Sequence, residues 1–379
     1  MPPRLRISRG ALLRNAAVLR KLVAPSQAAF VIKGNAYGHG LVPVAETLAP
    51  LTERFCVFTL DEALALRAAE ISTRILVLGP IEPGRFDEVV TGNVEVDIWS
   101  RGDFAKRLAA VAAMHHSVVP VHLKVNTDLN RLGISPSDLP AALAELALLP
   151  EIAPVGIFSH LASAEEIDAP YTTRQLAAFD RALAEAAPLM ERDGLSPLRH
   201  IAASAAAMLW PQTHLDMVRF GIAVYGLSPS PQTTQALQSH PIDLTPALSY
   251  HCELVVVRTV EAGAAIGYGG SFHAPREMRI GVVAAGYSNG IPRLLSNRGA
   301  FCVDGALCPI VGRVAMNLTQ IDLTNAPNAH VGSKVTLIGR DGDAAVTADD
   351  WAQWAETINY EIVTRLPAAL PRDYVEGDD

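Results

Sequence analysis

No uninterrupted apolar stretch of this sequence approaches the roughly 18 residues that a membrane helix needs, so no membrane partner is expected. The first residues, MPPRLRISRG, carry positive charge with no apolar segment behind them, which argues against an export signal and for the cytoplasm. Blocks of like charge are missing too. With 31 Lys and Arg against 39 Asp and Glu, the net charge is −8 and both signs are mixed along the chain. That excludes the basic face with which a protein engages nucleic acid. Cysteine is scarce, four in 379 residues, and only Cys302 and Cys308 lie close, at a spacing that fits neither a redox pair nor a common zinc pair. The thiols are expected as small buried hydrophobes, and no metal is expected.

What is present is apolar and finely punctuated: half the residues are hydrophobic, with 27 Gly and 26 Pro, in a length that suits one large domain and a smaller one. Between about residues 28 and 225, eight β-rich runs (AAFVIKG, FCVFTL, RILVLG, VEVDIW, VPVHLKV, APVGIFSH, LRHIAA and DMVRFGI) alternate with Ala/Leu-rich stretches of helical spacing. This α/β pattern predicts a (β/α)8 TIM-type barrel. Thr59, followed three residues on by Glu62, marks a helix start by a capping box. After the polar, proline-bearing linker SPSPQTTQALQSHPIDLTP, β segments broken by glycine take over, among them YHCELVVVRTV, MRIGVVAAG and KVTLIG. They predict a mainly β C-terminal domain over 236–379 behind a barrel domain over 1–235, with residues 1–10 free to pack with the second domain. A short helix is expected from Thr347, where acidic residues in its first turn suit the helix dipole.

In a parallel barrel, functional groups gather at the C-terminal ends of the strands. Here those ends offer Lys33, Lys124 with Arg131 just beyond, His160, Ser204, then Arg219 and Gly221. Taken singly, a strand-end lysine is a solvated cap or an ion-pair partner, His160 a hydrogen-bonded core histidine, Arg219 the partner of a structural carboxylate, and Gly221 the closure of a turn. Taken together they make a cationic rim on an acidic protein, which asks for an anion. A lysine desolvated beside Val31 and Ile32 has its neutral form favoured, and a neutral amine is the nucleophile that forms a Schiff base with an aldehyde. Pyridoxal phosphate is an aldehyde cofactor that also needs a phosphate cradle and a group at its pyridine nitrogen.

The segments VIKGNAYGHG, HLKVNTDLNRLG, GIFSHLASA, DMVRFGIAVYGL, IGYGGSF, AAGYSNGIPR, PIVGRVAMN and INYEIVTRLP, in this order, resemble those of the alanine racemases. The resemblance runs over nearly the whole chain. It implies pyridoxal phosphate as cofactor, a small amino acid as substrate, and a homodimer with shared active sites. Residue by residue, it makes Lys33 the lysine that binds the cofactor and the base on one face of the substrate, and Tyr268 of the second subunit the base on the other face. Arg219 would face the pyridine nitrogen, with His160 beside the ring. Tyr37, Ser204, Gly221 and Ile222 would contact phosphate, and the glycines around Tyr37 would let phosphate and backbone approach. Arg131 would reach the phenolic oxygen, and Lys124 matches a lysine carbamylated in many members. Met316 and Tyr287 match residues at the substrate carboxylate and the cofactor's outer side. A tyrosine base needs company that lowers its reference pKa of about 10, for which His160 and the rim arginines are candidates.

Several positions depart from the family pattern. Asn126, Asn289 and Asn317 stand where aspartate is usual, Asp128 where glycine is, Ala203 where asparagine is, and Ala368 where some members have a tyrosine at the substrate's way in. They suggest an altered substrate tolerance or a slower enzyme. Two rival readings stay open: a racemase of serine or another small amino acid on the same scaffold, and a protein that only holds pyridoxal phosphate. The second base, Tyr268, and the β domain weigh against the latter.

Overall fold

The computed structural model describes residues 2–166, 170–238 and 242–377. They form two compact units, one of Leu13–Gly34 and Leu41–Thr245, the other of Met1–Leu12, Asn35–Gly40 and Pro246–Asp379. Strands are numbered along the chain. β1 (Arg4–Ser8) belongs to the second unit, and β2 (Gln27–Val31), β3 (Arg54–Val57), β4 (Arg74–Val77), β5 (Glu95–Ile98), β6 (Val119–Lys124), β7 (Ile152–Phe158), β8 (Leu198–His200) and β9 (Met217–Phe220) belong to the first.

These eight strands run parallel in the order β8-β7-β6-β5-β4-β3-β2-β9, each at the position of one of the β-rich runs. The ring closes between β8 and β9 through a bridge from Ala203 to Arg219 and the Arg219 N–H on the Ala202 carbonyl, 3.1 Å. The first unit is the expected barrel. Thr59 caps the helix Leu60–Ala68 with the expected reciprocal bonds to Glu62. One difference lies in the linker. Its described part forms a short helix, Pro231–Ala236, because Ser230 accepts the Thr233 N–H and proline leads the first turn; residues 239–241 lie outside the described residues.

The second unit is mainly β. Its nine-stranded sheet is built on β10 (Leu248–Val260), which pairs antiparallel with β1, with β11 (Met278–Val283) and with β12 (Lys334–Asp341). β1 in turn pairs parallel with β13 (Arg372–Val375). The helix Ala348–Trp354, capped by Thr347 and Asp350 as expected, lays buried Trp351 against Tyr250 and Phe301, with ring centroids 6.3 and 6.1 Å apart. All four cysteines are free and buried, Cys56 in the barrel and Cys252, Cys302 and Cys308 in the sheet unit, where they pack as hydrophobes. No helix among the described residues is long and apolar enough to cross a membrane.

Gly38 and Gly40 serve the packing of this unit. A Cβ on Gly38 would lie 2.0 Å from the Val363 carbonyl oxygen, and one on Gly40 would lie 1.9 Å from the Tyr374 hydroxyl. Both also have left-handed backbone, φ 83 and 103. The overlap adds to the roughly 1–3 kcal/mol that such a conformation costs a residue with a side chain. Gly263, also left-handed at φ 83, has open space around it. Gly40→Ala is therefore expected to lower stability in urea unfolding by at least about 2 kcal/mol, clearly more than Gly263→Ala.

Candidate active site

Lys33 follows directly on β2, whose end is fixed by the Ile32 N–H on the Cys56 carbonyl, 2.9 Å, and the Tyr225 hydroxyl on the Val31 carbonyl, 3.0 Å. From there the backbone winds left-handed: Gly34, Asn35, Ala36 and Tyr37 have φ of 64, 55, 53 and 51. Three consecutive residues with side chains in this region are costly, about 1–2 kcal/mol each. Such strain is found where surrounding contacts over-determine the backbone. One contact is Glu62, whose Oε1 accepts the Gly34 N–H at 2.6 Å while its Oε2 accepts those of Phe58 and Thr59 at 2.9 and 3.2 Å. The helix cap read in the sequence thus also ties down the turn beside Lys33. Burial, with the charge of Arg131, lowers the pKa of the Lys33 amine.

Phe158, at the end of β7, is a shared platform. The Lys124 Nζ and the Arg219 guanidinium each lie 5.2 Å from its ring centroid, and the His200 imidazole stacks on it at 4.8 Å with 4° between planes. Lys124 faces buried Asp97 at 3.9 Å, too far for a hydrogen bond. Burial pushes the Asp97 carboxyl up and the Lys124 ammonium down, so both charges are disfavoured there.

Arg219 is buried, and its partners are not carboxylates. Nη1 donates to His200 Nδ1 at 2.6 Å, and Nη2 donates to the carbonyls of Ser159 and Ile201 at 2.8 and 3.3 Å and lies 3.4 Å from His160 Nδ1. Burial lowers Arg219 only to about 10, so it stays cationic. His160 is pushed down to about 3 by burial and then by Arg219, which leaves it neutral at working pH. As company for a tyrosine it offers hydrogen bonding, not charge.

Arg131 is exposed, on a loop that leaves β6 and returns through the Ile134 N–H on the Lys124 carbonyl, 2.8 Å. Asn126 shapes this loop from both ends of its amide: Oδ1 accepts the Asn130 N–H and Nδ2 donates to Asn130 Oδ1, both at 2.9 Å. Asp128 adopts the left-handed φ of 86, which glycine takes more readily. Ser204 opens the helix Ser204–Leu209, and its hydroxyl accepts the Gly221 N–H at 3.0 Å, beside buried Ile222. The barrel unit thus brings Lys33, Lys124, Arg131, His160 and Arg219 within electrostatic reach of one another, and Ser204 against Gly221.

The remaining candidates belong to the sheet unit. Tyr37 is buried, its ring 6.1 Å from that of Tyr360. Tyr268 is 72 % exposed in the turn Tyr268–Gly270, anchored by buried Ile266 on a small core with Met278, Ile280 and Val311. The Arg313 guanidinium lies against this turn, so that a Cβ on Gly269 would sit 3.0 Å from its Nη1. Tyr287 and Met316, both exposed, are brought together by the Tyr287 N–H on the Ala315 carbonyl and the Ser288 N–H on the Met316 carbonyl, both 2.9 Å. Asn289 accepts the Gly286 N–H at 3.1 Å, and Asn317 donates to the Ser288 hydroxyl at 2.7 Å. Sequence reading missed Asp97, Phe158, His200 and Arg313, together with Glu95 and His122 deeper in the barrel.

An eight-stranded parallel barrel and a mainly β unit define a class of two-domain barrel proteins. The chain belongs to the alanine racemase family: the family's N-terminal domain matches residues 7–229 and its C-terminal domain residues 247–374. It is 40% identical over 359 residues to an alanine racemase of Syntrophobacter fumaroxidans, covering 94% of this chain and 93% of that one. To an alanine racemase of Symbiobacterium thermophilum it is 37% identical over 366 residues, 96% and 94% of the two chains. Its fold matches the crystal structure of alanine racemase from D-cycloserine-producing Streptomyces lavendulae with a TM-score of 0.91 at 36% identity, over 100% of this chain and 98% of that one.

The depressed His160 pKa has a consequence for stability. Between its ordinary 6.5 and about 3, the unfolded chain holds a proton on this ring that the folded chain does not. Stability is then complete above pH 6.5 and is lost as pH falls through that window, a slope to which buried His122 and His200, shifted the same way, also contribute. Urea unfolding of wild type and His160→Asn at pH 7, 5 and 4 is expected to show a shallower acid loss in the variant.

Proposed function

We propose that the protein interconverts L-alanine and D-alanine with pyridoxal phosphate, as a cytoplasmic homodimer whose active sites are each shared between two subunits. One observation carries this reading: the Lys33 amine, made less basic by burial, sits amid the charges of Arg131 and Arg219. A nucleophilic amine in an anion-seeking environment suits an aldehyde that carries a phosphate and a phenolic oxygen. The donor set around Lys33 fits that group.

Lys33 would hold the cofactor covalently, Arg131 would donate to its phenolic oxygen, and His160 would lie beside its ring. Ser204 takes the Gly221 N–H and keeps its own hydroxyl proton, which it would donate to phosphate, so Gly221 would act through Ser204, with the Ile222 N–H and the Tyr37 hydroxyl as the further phosphate donors that the reading requires. Arg219 would donate toward the pyridine nitrogen and, as a guanidinium, would leave that nitrogen without a proton of its own. When bound, the cofactor supplies an electron sink that acidifies the substrate's Cα–H. Racemisation then needs two groups on opposite faces of Cα. Lys33 holds or yields the proton at Nζ on one face, and Tyr268 of the partner subunit at its hydroxyl on the other. The exposure of Tyr268 on a firmly anchored turn supports its service to another chain. Arg131, Met316 and Tyr287 would border the substrate. Lys124 is a candidate for carbamylation, which its lowered pKa favours and nearby Asp97 opposes by charge whenever ionised.

Chiral chromatography of L-alanine and, in parallel, L-serine incubated with the protein and pyridoxal phosphate tests the reading. Conversion of alanine toward an equal mixture of enantiomers is expected; racemisation of serine alone would move the specificity to the rival substrate. Tyr268→Phe is expected to lose at least about 100-fold in rate, and Lys33→Ala to lose all activity. Mixing these two impaired proteins under conditions that exchange subunits should raise activity well above that of Tyr268→Phe alone, because a heterodimer regains one site with both bases. No such rise, with exchange verified, would refute the shared site.

A further inference from the structure

Below the candidate site, a continuous row of buried polar groups crosses the barrel from β3 to β9. Arg54 on β3 donates from Nε to Glu95 Oε2 at 2.5 Å and from Nη2 to Oε1 at 3.2 Å. The same Glu95 Oε2, on β5, lies 3.1 Å from His122 Nε2 on β6. His122 Nδ1 lies 2.9 Å from His200 Nε2 on β8, and His200 Nδ1 lies 2.6 Å from Arg219 Nη1 on β9. Arg54, Glu95, His122, His200 and Arg219 are all 4 % exposed or less. The rings are held in place as well. Phe158 stacks on His200, and His122 rests on bare backbone, since a Cβ on Gly156 would lie 2.0 Å from its Nδ1.

The proton positions along this row follow from its two ends. An ionised Glu95 only accepts, so His122 Nε2 carries the hydrogen. A neutral His122 then has a bare Nδ1, which requires an N–H at His200 Nε2. A neutral His200 is in turn bare at Nδ1, where it accepts from Arg219. Starting from Arg219, which only donates, the same assignment results. Every alternative, whether a reversed row or a cationic imidazole, sets two N–H groups against each other at 3.1 Å or less. Burial lowers the pKa of both histidines, in keeping with neutral rings. Burial also pushes Glu95 up, but hydrogen bonds from His122 and Arg54 outweigh it and hold the carboxyl down to about 2.

We propose that Glu95 is a positioning residue for Arg219: through His122 and His200, both fixed as Nε2–H tautomers, it presents a bare imidazole nitrogen that holds the Arg219 guanidinium in place. Its bearing on the cofactor rests on the reading of Arg219 given above; the tautomers do not. Nitrogen NMR of the full chain labelled at histidine tests the row directly, with His122 and His200 identified through His122→Asn and His200→Asn. Both residues are expected to show protonated Nε2 and unprotonated Nδ1, unchanged from pH 5 to 9; a protonated Nδ1 on either ring would overturn the proposal. Arg54→Met/Glu95→Gln removes the buried charges as a pair, so that it folds more readily than Glu95→Gln alone, and replaces the carboxylate by an amide that can accept from His122 Nε2 but carries no charge. In this variant Arg219, which still only donates, is expected to keep both tautomers while the row loses its ionic anchor, so that the bound cofactor's absorption shifts and its dissociation constant rises at least tenfold. Wild-type cofactor absorption and affinity in a folded double variant would also overturn it. A chain with the expected tautomers that leaves alanine unchanged would refute the functional reading and leave the row standing. A racemase with other tautomers would do the reverse.

Discussion

Keeping positive charge inside an apolar barrel is the constraint around which the first unit is arranged. A buried cation without partners costs several kcal/mol, and this barrel encloses Arg54, Lys124 and Arg219 at once. Each is answered differently. Arg54 receives both oxygens of Glu95, Arg219 receives carbonyls and a neutral imidazole, and Lys124 faces Asp97 across a gap in which neither charge is comfortable. Of the three, Arg219 is the one that stays fully cationic on neutral acceptors alone. The basicity of Lys33 is lowered first by burial, then by the charge of Arg131, with Arg219 adding to it.

The barrel was readable because its strands are short apolar runs separated by helices with recognisable starts, and the runs fall on the observed strands. The rim residues were readable because each strand end is a fixed place in such a fold. The row beneath them was not. In VEVDIW, Glu95 and Asp97 alternate with Val94, Val96 and Ile98, which in an ordinary strand signals one face toward water. In a parallel barrel both faces are buried, so the alternation was itself the sign of polar groups in the interior. His122 and His200 looked like strand residues of no special kind, and their meaning depends on which strands face each other across the barrel. Gly156 carried no signal at all until the imidazole above it was seen.

The turn after Lys33 shows a similar division. Its glycines suggested room for phosphate, whereas Gly38 and Gly40 admit Val363 and Tyr374 in the packing of the sheet unit, and the left-handed path runs through Asn35, Ala36 and Tyr37 as well. Sequence composition does not reveal a conformation held by contacts from elsewhere. The departures from the family pattern resolve into distinct uses. Asn126 employs its amide as donor and acceptor at once, which an aspartate could not do, and Asn317 likewise needs its N–H groups to reach Ser288. Asn289 acts as an acceptor toward Gly286, a bond that aspartate could equally make.

The polar row through the barrel floor is bounded by a guanidinium at one end and, at the other, by a carboxylate clasped by a second guanidinium. Neither arginine has a lone pair with which to receive a proton. A chain of imidazoles usually suggests a path for proton transfer, but this one is closed at both ends and admits a single arrangement of its hydrogens. It is a strut and not a wire: this row fixes its arginine in place and offers protons no relay along its length.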